Sequence, residues 1–478
     1  MKKQPVTTVL AICVLLLLLF YVLNIAVLFV LLNIARIVSL SFDTPSTRTP
    51  GVYTRAYIEE KPWNKVWESP EPTWSITCDT AHFEYDLCYL NRRTVVDPTT
   101  AIVSAVDPTN STPAIERKIR PYPRKGQPEA MEKTKELTLT TFPAKVSCQV
   151  SHSAPALIFS AGGFTGNVFH DFNEGWVPLF ITVDEHFVDR DVILAIVNCS
   201  EWWMIKYAEL FPKFSRYPII NLDKETTSHC FPRAIVGLKS HGVMIVDPTL
   251  QRGPHPKTMM DFQAVITDAY ESSLRSHGFS NGEERLPNFS PSSGRPRMAL
   301  LNRQDTRRLL NTEQLRRAAE EVGFEVAVFE VTPKTPMREL YRVISRSHAL
   351  AGVHGAALTH ELFLRPGAVL LQIVPINTGW LADMCYGKLA SRLGLEYVVY
   401  EAGIEESTLQ SDAFAVKQHM DPHDPASTLM GNLTNWYRYM NQHVEVDTVR
   451  FKRYLNRAYE KAIVFMHKQQ QSSVLSAS

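Results

Sequence analysis

Between Met298 and Tyr400 short apolar segments alternate with stretches of helical period, and few architectures accept such a pattern. Met298–Leu301, Glu325–Phe329, Ala349–Val353, Val369–Val374 and Glu396–Tyr400 read as strands. The first helix between them runs from Asn311, placed to cap it with Gln314 in the capping-box position, through Val322 to a terminating Gly323. The next opens at Thr335-Pro336 and sets Met337, Leu340, Tyr341 and Ile344 on one face. Strands and helices in this alternation form a parallel sheet covered on both faces.

The preceding half has the same texture, less regularly. Ala156–Ser160 and Asp191–Val197 are strands by their continuous apolar character, and Glu201–Phe211 follows as a helix. Ala234–Leu238 and Val243–Val246 are further strands, and His255–Arg275 is a long helix. Upstream, Thr77–Val150 offers short β-like pieces broken by Asp97-Pro98, Asp107-Pro108 and Pro121-Tyr122-Pro123, a stretch either ordered only in part or an accessory to the first domain. Gly278–Pro296 collects Gly, Ser, Asn and Pro and marks the linker between the halves. Two α/β halves so joined place a cleft between them, the usual seat of a ligand. A closing amphipathic helix, about Val449 to Met466, is expected to pack back across both.

At 478 residues the chain exceeds the size at which one core stops growing, which agrees with two domains. Fifty basic residues against forty-nine acidic ones leave no basic stripe for nucleic acid. Val9 to Leu32 is apolar except for Asn24, long enough to cross ~30 Å of hydrocarbon. Lys2 and Lys3 ahead of it keep a short tail in the cytosol, so the rest is lumenal. The expected order is a cytosolic tail (1–8), a transmembrane anchor (9–35), a stem (36–75), an N-terminal domain (76–280), a C-terminal domain (281–445) and a crossover helix with tail (446–478). Beyond Cys13 in the span, six cysteines allow fifteen full pairings, with Cys78–Cys88 the first guess. Asn110, Asn198, Asn288 and Asn432 head N-glycosylation sequons, which suits a lumenal chain.

Two stretches carry candidate chemistry. In Gly162–Glu174, glycines permit a sharp turn after a strand, and a helix follows. Phe169, Phe172, Trp176 and Leu179/Phe180 share one helical face; at about 100° per residue His170, Asp171 and Glu174 share the opposite one. Gly352–Glu361 is a second strand-to-helix turn, whose small residues let a phosphate approach backbone N–H groups at a helix N-terminus. Arg295, Arg297 and Arg303 flank the first strand of the same domain, and guanidinium forks suit a diphosphate. Asp189-Arg190-Asp191 precedes a strand and reads as a polar turn rather than a metal motif, and no histidine spacing matches a metal site. Trp202-Trp203, just after the strand at 191–197, offers a surface to stack on a sugar, with two core aromatics the favoured reading, while His360 and Glu361 either back the turn or face solvent.

The chain resembles plant members of glycosyltransferase family 61, in the group of xylan arabinosyl- and xylosyltransferases. The resemblance rests on Gly162–Glu174, Gly294-Arg295-Pro296-Arg297 continuing to Asn302-Arg303, Gly352–His360, Phe363–Ala368 and Glu405–Leu409. Ala357 stands where the family pattern suggests Gly. The resemblance implies α/β architecture of GT-B type, two Rossmann-like domains facing a cleft, in a Golgi membrane protein. It implies a UDP-pentose donor, inversion, a xylan or xylo-oligosaccharide acceptor, no cofactor or metal, and association with other glycosyltransferases. On it, Arg297, Asn302, Arg303, His354, Gly355, Ala356 and Ala357 hold the UDP-sugar, and Gly163 and Asn167 lie on the acceptor side. Asp171 is the first choice of general base, Glu174 the second and His170 the third. Sugar transfer to glycoproteins, or a non-catalytic subunit of a synthase complex, are the competing readings.

Overall fold

The computed structural model describes residues 75–477 apart from 108–114, 144–147, 252–253, 277–285, 288, 291–293 and 421–432. The expected tail, anchor and stem, and the sequons at Asn110, Asn288 and Asn432, lie outside the described residues. Among the described residues no helix is long and apolar enough to cross a membrane.

The N-terminal half contains β1 (Ile76–Asp79), β2 (Leu87–Leu90), β3 (Thr94–Asp97), β4 (Ile102–Asp107), β5 (Glu116–Ile119) and β6 (Leu137–Pro143). It continues with β7 (Val150–Ser151), β8 (Ala156–Ser160), β9 (Ile193–Val197), β10 (Ile220–Asn221), β11 (His229–Phe231) and β12 (Ala234–Val236). These strands form two sheets, ordered β1-β2-β12-β8-β9-β10 and β5-β6-β4-β3-β11-β7. In the first, β12, β8, β9 and β10 run parallel, and β2 and β1 extend the edge antiparallel. Parallel strands covered on both faces read as unbroken apolar runs, and β8 and β9 are buried along their whole length.

The second sheet comes largely from the stretch expected to be an accessory. Val96, Val103, Leu139 and Phe231 from it share one core with Ile158, Ala195 and Val197 of the first. The half is therefore a two-sheet structure rather than a plain Rossmann-like domain. Cys78–Cys88 is disulfide-bonded as expected, Cys148–Cys230 forms a second bridge, and Cys199 and Cys385 are free and buried. Val243–Val246 is not a strand. Met244 takes φ 43° and its N–H donates to Asn173 Oδ1 at 2.7 Å, so a side chain rather than a sheet neighbour satisfies this backbone.

The C-terminal half holds β13 (Arg297–Asn302), β14 (Glu325–Glu330), β15 (Ala349–Val353), β16 (Val369–Val374) and β17 (Glu396–Glu401). All pairings are parallel, in the order β14-β13-β15-β16-β17, as the alternation of strands and helices requires. The helix Thr312–Val322 does end at Gly323, but the Asn311 side chain does not cap it. That amide instead binds the Val446 backbone, accepting from its N–H at 3.0 Å and donating to its carbonyl at 2.7 Å.

The helix that joins the halves is not the one expected. In the C-terminal helix Thr448–Ala477, the buried stripe Phe451, Leu455, Ala458 and Ala462 belongs to the core of the C-terminal sheet. Bridging falls to Met259–Ser276. Phe262 packs its ring 6.3 Å from Phe172 and 5.5 Å from Phe180 of the N-terminal half. Tyr270 lies 5.8 Å from Tyr341 and 5.5 Å from Phe363 of the other. Gln263 Nε2 donates to the carbonyls of Leu362 and Leu364 at 3.0 and 2.7 Å.

Candidate active site

β8 delivers the glycine turn to the carboxyl edge of its parallel strands. Gly163 has φ 62°, and a Cβ there would sit 2.4 Å from the Tyr122 ring, so only glycine closes this turn. Asn167 accepts the Phe169 N–H at 3.0 Å and caps Val168–His170. The chain then passes through a π-helical turn, Asp171–Trp176, into Val177–His186. A π turn inserts one residue into the helical period, and the polar face expected to be open is instead closed at Asp171 and Glu174, both buried.

Asp171 is buried, its Oδ1 accepting from the Gly166 N–H at 3.1 Å and its Oδ2 from the Tyr207 hydroxyl at 2.8 Å. Burial pushes its carboxyl up, and these hydrogen bonds offset only part of the rise. Glu174 is also buried: it accepts from His170 Nδ1 at 2.9 Å and from Asn173 Nδ2 at 2.8 Å, and it lies 3.2 Å from Arg124 Nη1. His170 keeps 21% of its side chain exposed, and its Nε2 makes no hydrogen bond among the described residues. The other face packs as expected: Trp176 stacks on Trp203 at 5.3 Å and meets Tyr207, Phe211 and Phe214. Trp202, in contrast, is not a core aromatic, being 46% exposed.

Across the boundary, β15 carries His354 and Gly355 to the carboxyl edge of the C-terminal sheet, beside Arg303 at the end of β13. A Cβ on Gly355 would lie 2.8 Å from Arg303 Nη1, so the missing side chain is what lets the guanidinium cover the turn. Arg303 Nε donates to the Thr306 carbonyl at 2.8 Å. Arg307 donates to the carbonyls of His354 and Met440 at 2.9 and 2.6 Å. Both cations are thus held by neutral oxygens. Burial lowers both pKa values, and the adjacent Arg303 charge helps bring Arg307 to about 10. Two desolvated guanidiniums with no carboxylate bonded to either among the described residues form a seat for an anion.

The neighbouring groups brace this seat. His354 accepts from Gln372 Nε2 at 3.0 Å, and Gln372 accepts from the Tyr397 hydroxyl at 2.6 Å. Burial, with Arg307 and Arg303 nearby, lowers His354 to about 3 and keeps it neutral. Asn302 accepts the Arg303 N–H at 2.9 Å and donates to Glu330 at 3.2 Å, which holds the strand end. Ala356 and Ala357 open the 3-10 helix Ala356–Phe363.

Arg297 does not join them. Its N–H donates to His348 at 2.8 Å, at the amino end of a six-residue strand. At about 3.3 Å per residue that is roughly 16 Å from the anion seat. Arg295 caps Thr312–Val322 through the Gly323 and Glu320 carbonyls at 2.8 and 2.7 Å. Nearness in sequence to β13 made all three arginines candidates; the direction of the strand separates them.

The two constellations meet at Tyr386, whose ring lies 5.9 Å from Phe169 and 5.4 Å from His354. Val168–His170 packs directly on the 3-10 helix Ala356–Phe363. Sequence reasoning missed both Tyr386 and Arg307. Arg307 had a signal, a second arginine one helical turn beyond Arg303; a lone tyrosine has none. His360 and Glu361 back the turn and are fully buried, with His360 Nε2 and both Glu361 oxygens lacking a hydrogen bond among the described residues. Among the described residues no three His, Cys, Asp or Glu side chains cluster to hold a metal. Asp189 faces Arg216 at 3.8 Å and Asp191 accepts from the Tyr217 hydroxyl at 2.6 Å, a polar turn as expected. Asn198 is half-buried, its Oδ1 accepting from the Lys135 N–H at 2.7 Å and the Ser160 hydroxyl at 2.9 Å.

A family model described as Glycosyltransferase 61 matches residues 138–371. Over 428 residues the chain is 34% identical to the xylan glycosyltransferase MUCI21 of Arabidopsis thaliana, covering 85% of this chain and 84% of that one. It is 33% identical to the alpha-1,3-arabinosyltransferase XAT3 of Oryza sativa subsp. japonica, over 72% of this chain and 58% of the relative. To the beta-1,2-xylosyltransferase XAX1 of the same rice it is 36% identical, over 72% and 59%. The chain therefore spans somewhat under two thirds of the length of these rice relatives.

Proposed function

The chain belongs to the glycosyltransferase 61 family, and from that premise we propose a Golgi type II, inverting enzyme that moves arabinofuranose or xylose from a UDP-sugar onto xylan. The observation that carries the reading is the meeting, at one boundary, of an anion seat held by neutral oxygens and an imidazole held by a buried carboxylate. The names of the relatives, which speak of xylan, arabinosyl and xylosyl transfer, support the sugar class. We read the two halves as the GT-B arrangement.

In this mechanism Arg303, Arg307 and the backbone N–H groups after Gly355 bind the diphosphate. As the anomeric C–O bond breaks, negative charge grows on the departing phosphate oxygen. Fixed cations in a desolvated site then stabilise the transition state more than the ground state. His170 Nε2 takes the proton of the acceptor hydroxyl. Glu174 fixes the imidazole through Nδ1 and faces the positive charge that forms on it, while Arg124 and Asn173 hold Glu174. Asp171, with both oxygens occupied, shapes the glycine turn. This reading puts His170 first as the base, where the expected order was Asp171, Glu174 and then His170.

The test is incubation of the full-length protein in detergent with xylo-oligosaccharides and a panel of UDP-sugars, reading product mass and linkage. Pentose transfer that survives EDTA is expected; transfer only to peptide acceptors, or none, overturns the reading. His170→Ala abolishes transfer, and Glu174→Gln lowers kcat by about 10²-fold, both with UDP affinity unchanged. A fully active His170→Ala variant removes His170 from the mechanism.

A further inference from the structure

Trp202 has no part in the reaction above. Its neighbour Trp203 is buried against Trp176, yet Trp202 leaves 46% of the largest side chain in water and stacks on no other ring among the described residues. Its position is informative. Trp202 lies on the helix Glu201–Lys206, which follows β9, and its ring is 3.9 Å from where Gly166 would carry a Cβ. Gly166 is the exposed tip of the turn that leads to His170, and Phe164 on the same turn lies 4.8 Å from the His170 ring. Further along the same helix Ile205 is 70% exposed. It borders a groove of about 640 Å³ whose walls include Arg216, Tyr217 and Pro218.

We propose that Trp202 is the stacking platform of an acceptor subsite, covering one face of a pyranose ring in a β-1,4-linked chain. The proposal rests on the glycosyl-transfer reading and names the part of the site that holds the acceptor. A pyranose with equatorial hydroxyls presents axial C–H bonds on both faces, so its faces are apolar and its rim is polar. An exposed indole matches such a face, as aromatic rings match other flat apolar surfaces. A pentopyranose lacks the hydroxymethyl branch and lies flat on it. The side chain absent at Gly166 leaves the edge of the platform open toward His170. The groove beyond Ile205 gives further units of a chain somewhere to lie, which a single sugar does not need.

The test is native affinity electrophoresis of the full-length protein in detergent, through gels holding xylan and, separately, mannan. Xylan retards the wild type, Trp202→Ala is held about tenfold more weakly, and Trp202→Phe falls between them. Thermal stability, oligomeric state and UDP affinity of Trp202→Ala match the wild type. Equal retardation of wild type and Trp202→Ala in xylan overturns the platform and leaves the xylan reading standing. Retardation by mannan alone, lost in Trp202→Ala, upholds the platform and overturns the xylan reading. A wild type retarded by neither gel, a parallel loss of UDP affinity, or a change of oligomeric state in Trp202→Ala overturns the platform.

Discussion

Glu361 supplies a prediction whose size comes from its surroundings. Its side chain is fully buried behind the turn at His354–Ala357, and among the described residues neither oxygen has a hydrogen bond and no cation compensates it. Tyr386, Tyr397 and Cys385, which sense its charge, are themselves pushed up by burial and stay neutral. Desolvation alone raises its pKa well above the ordinary 4.5. The native protein therefore keeps a proton that the unfolded chain releases. The contribution to stability is full below about pH 4.5 and is lost as pH rises toward the native pKa, at about 1.4 kcal/mol per pH unit. Glu361→Gln cannot titrate and escapes this loss. Its buried amide adds an unmet donor costing about 1–3 kcal/mol, but that offset does not change with pH. The readout is thus the slope of the difference: from pH 5 upward the variant gains on the wild type, at about 1.4 kcal/mol per pH unit for as long as the pH stays below the native pKa. Urea denaturation of both proteins at pH 5, 6 and 7, followed by tryptophan fluorescence, measures it, and all other titrating groups cancel in the difference. Parallel stability profiles would refute the reasoning and show Glu361 ionised in the native state.

Asp171→Asn is expected to cost about 1–3 kcal/mol of stability, because an amide can still accept from Tyr207 but its Nδ2 cannot accept the Gly166 N–H. Its kcat should stay within about tenfold of the wild type; a thousand-fold loss in a variant of unchanged melting temperature would make Asp171 the base after all. Gly355→Ala places a Cβ 2.8 Å from Arg303 Nη1 and must displace that guanidinium. Deprived of one charge-assisted hydrogen bond, UDP should bind about 10- to 100-fold more weakly by calorimetry, and an unchanged Kd would remove Arg303 from the anion seat.

Local pattern was enough wherever the physics is local. The five C-terminal strands were legible to within a residue at each end: the central ones are covered on both faces and apolar almost throughout, and the edge strands β14 and β17 keep an alternation of buried and more open positions. The Cys78–Cys88 bridge was legible from proximity along the chain. Both glycine turns were legible too, since only small residues admit a close backbone approach. The second N-terminal sheet was not. Its strands are mostly four residues or fewer, and β11 pairs with β3 and β7 from far away in the chain, so no window of sequence holds the pattern.

What the sequence by itself determined is therefore an α/β chain of two halves, a family, and two stretches of candidate chemistry. Only the tertiary structure decided which side chains in those stretches face one another. Strand direction put Arg297 at the far edge from Arg303, and chain reversal brought in Arg307 and Tyr386. In the acidic cluster, the Tyr207 hydroxyl and the Gly166 N–H hold Asp171 in the interior, while His170 stays at the surface with Glu174 behind it. Periodicity assigns a residue to a face only while the helix keeps its period. The turn that breaks the period sits at this site, where a distant tyrosine and an arginine fix the carboxylates.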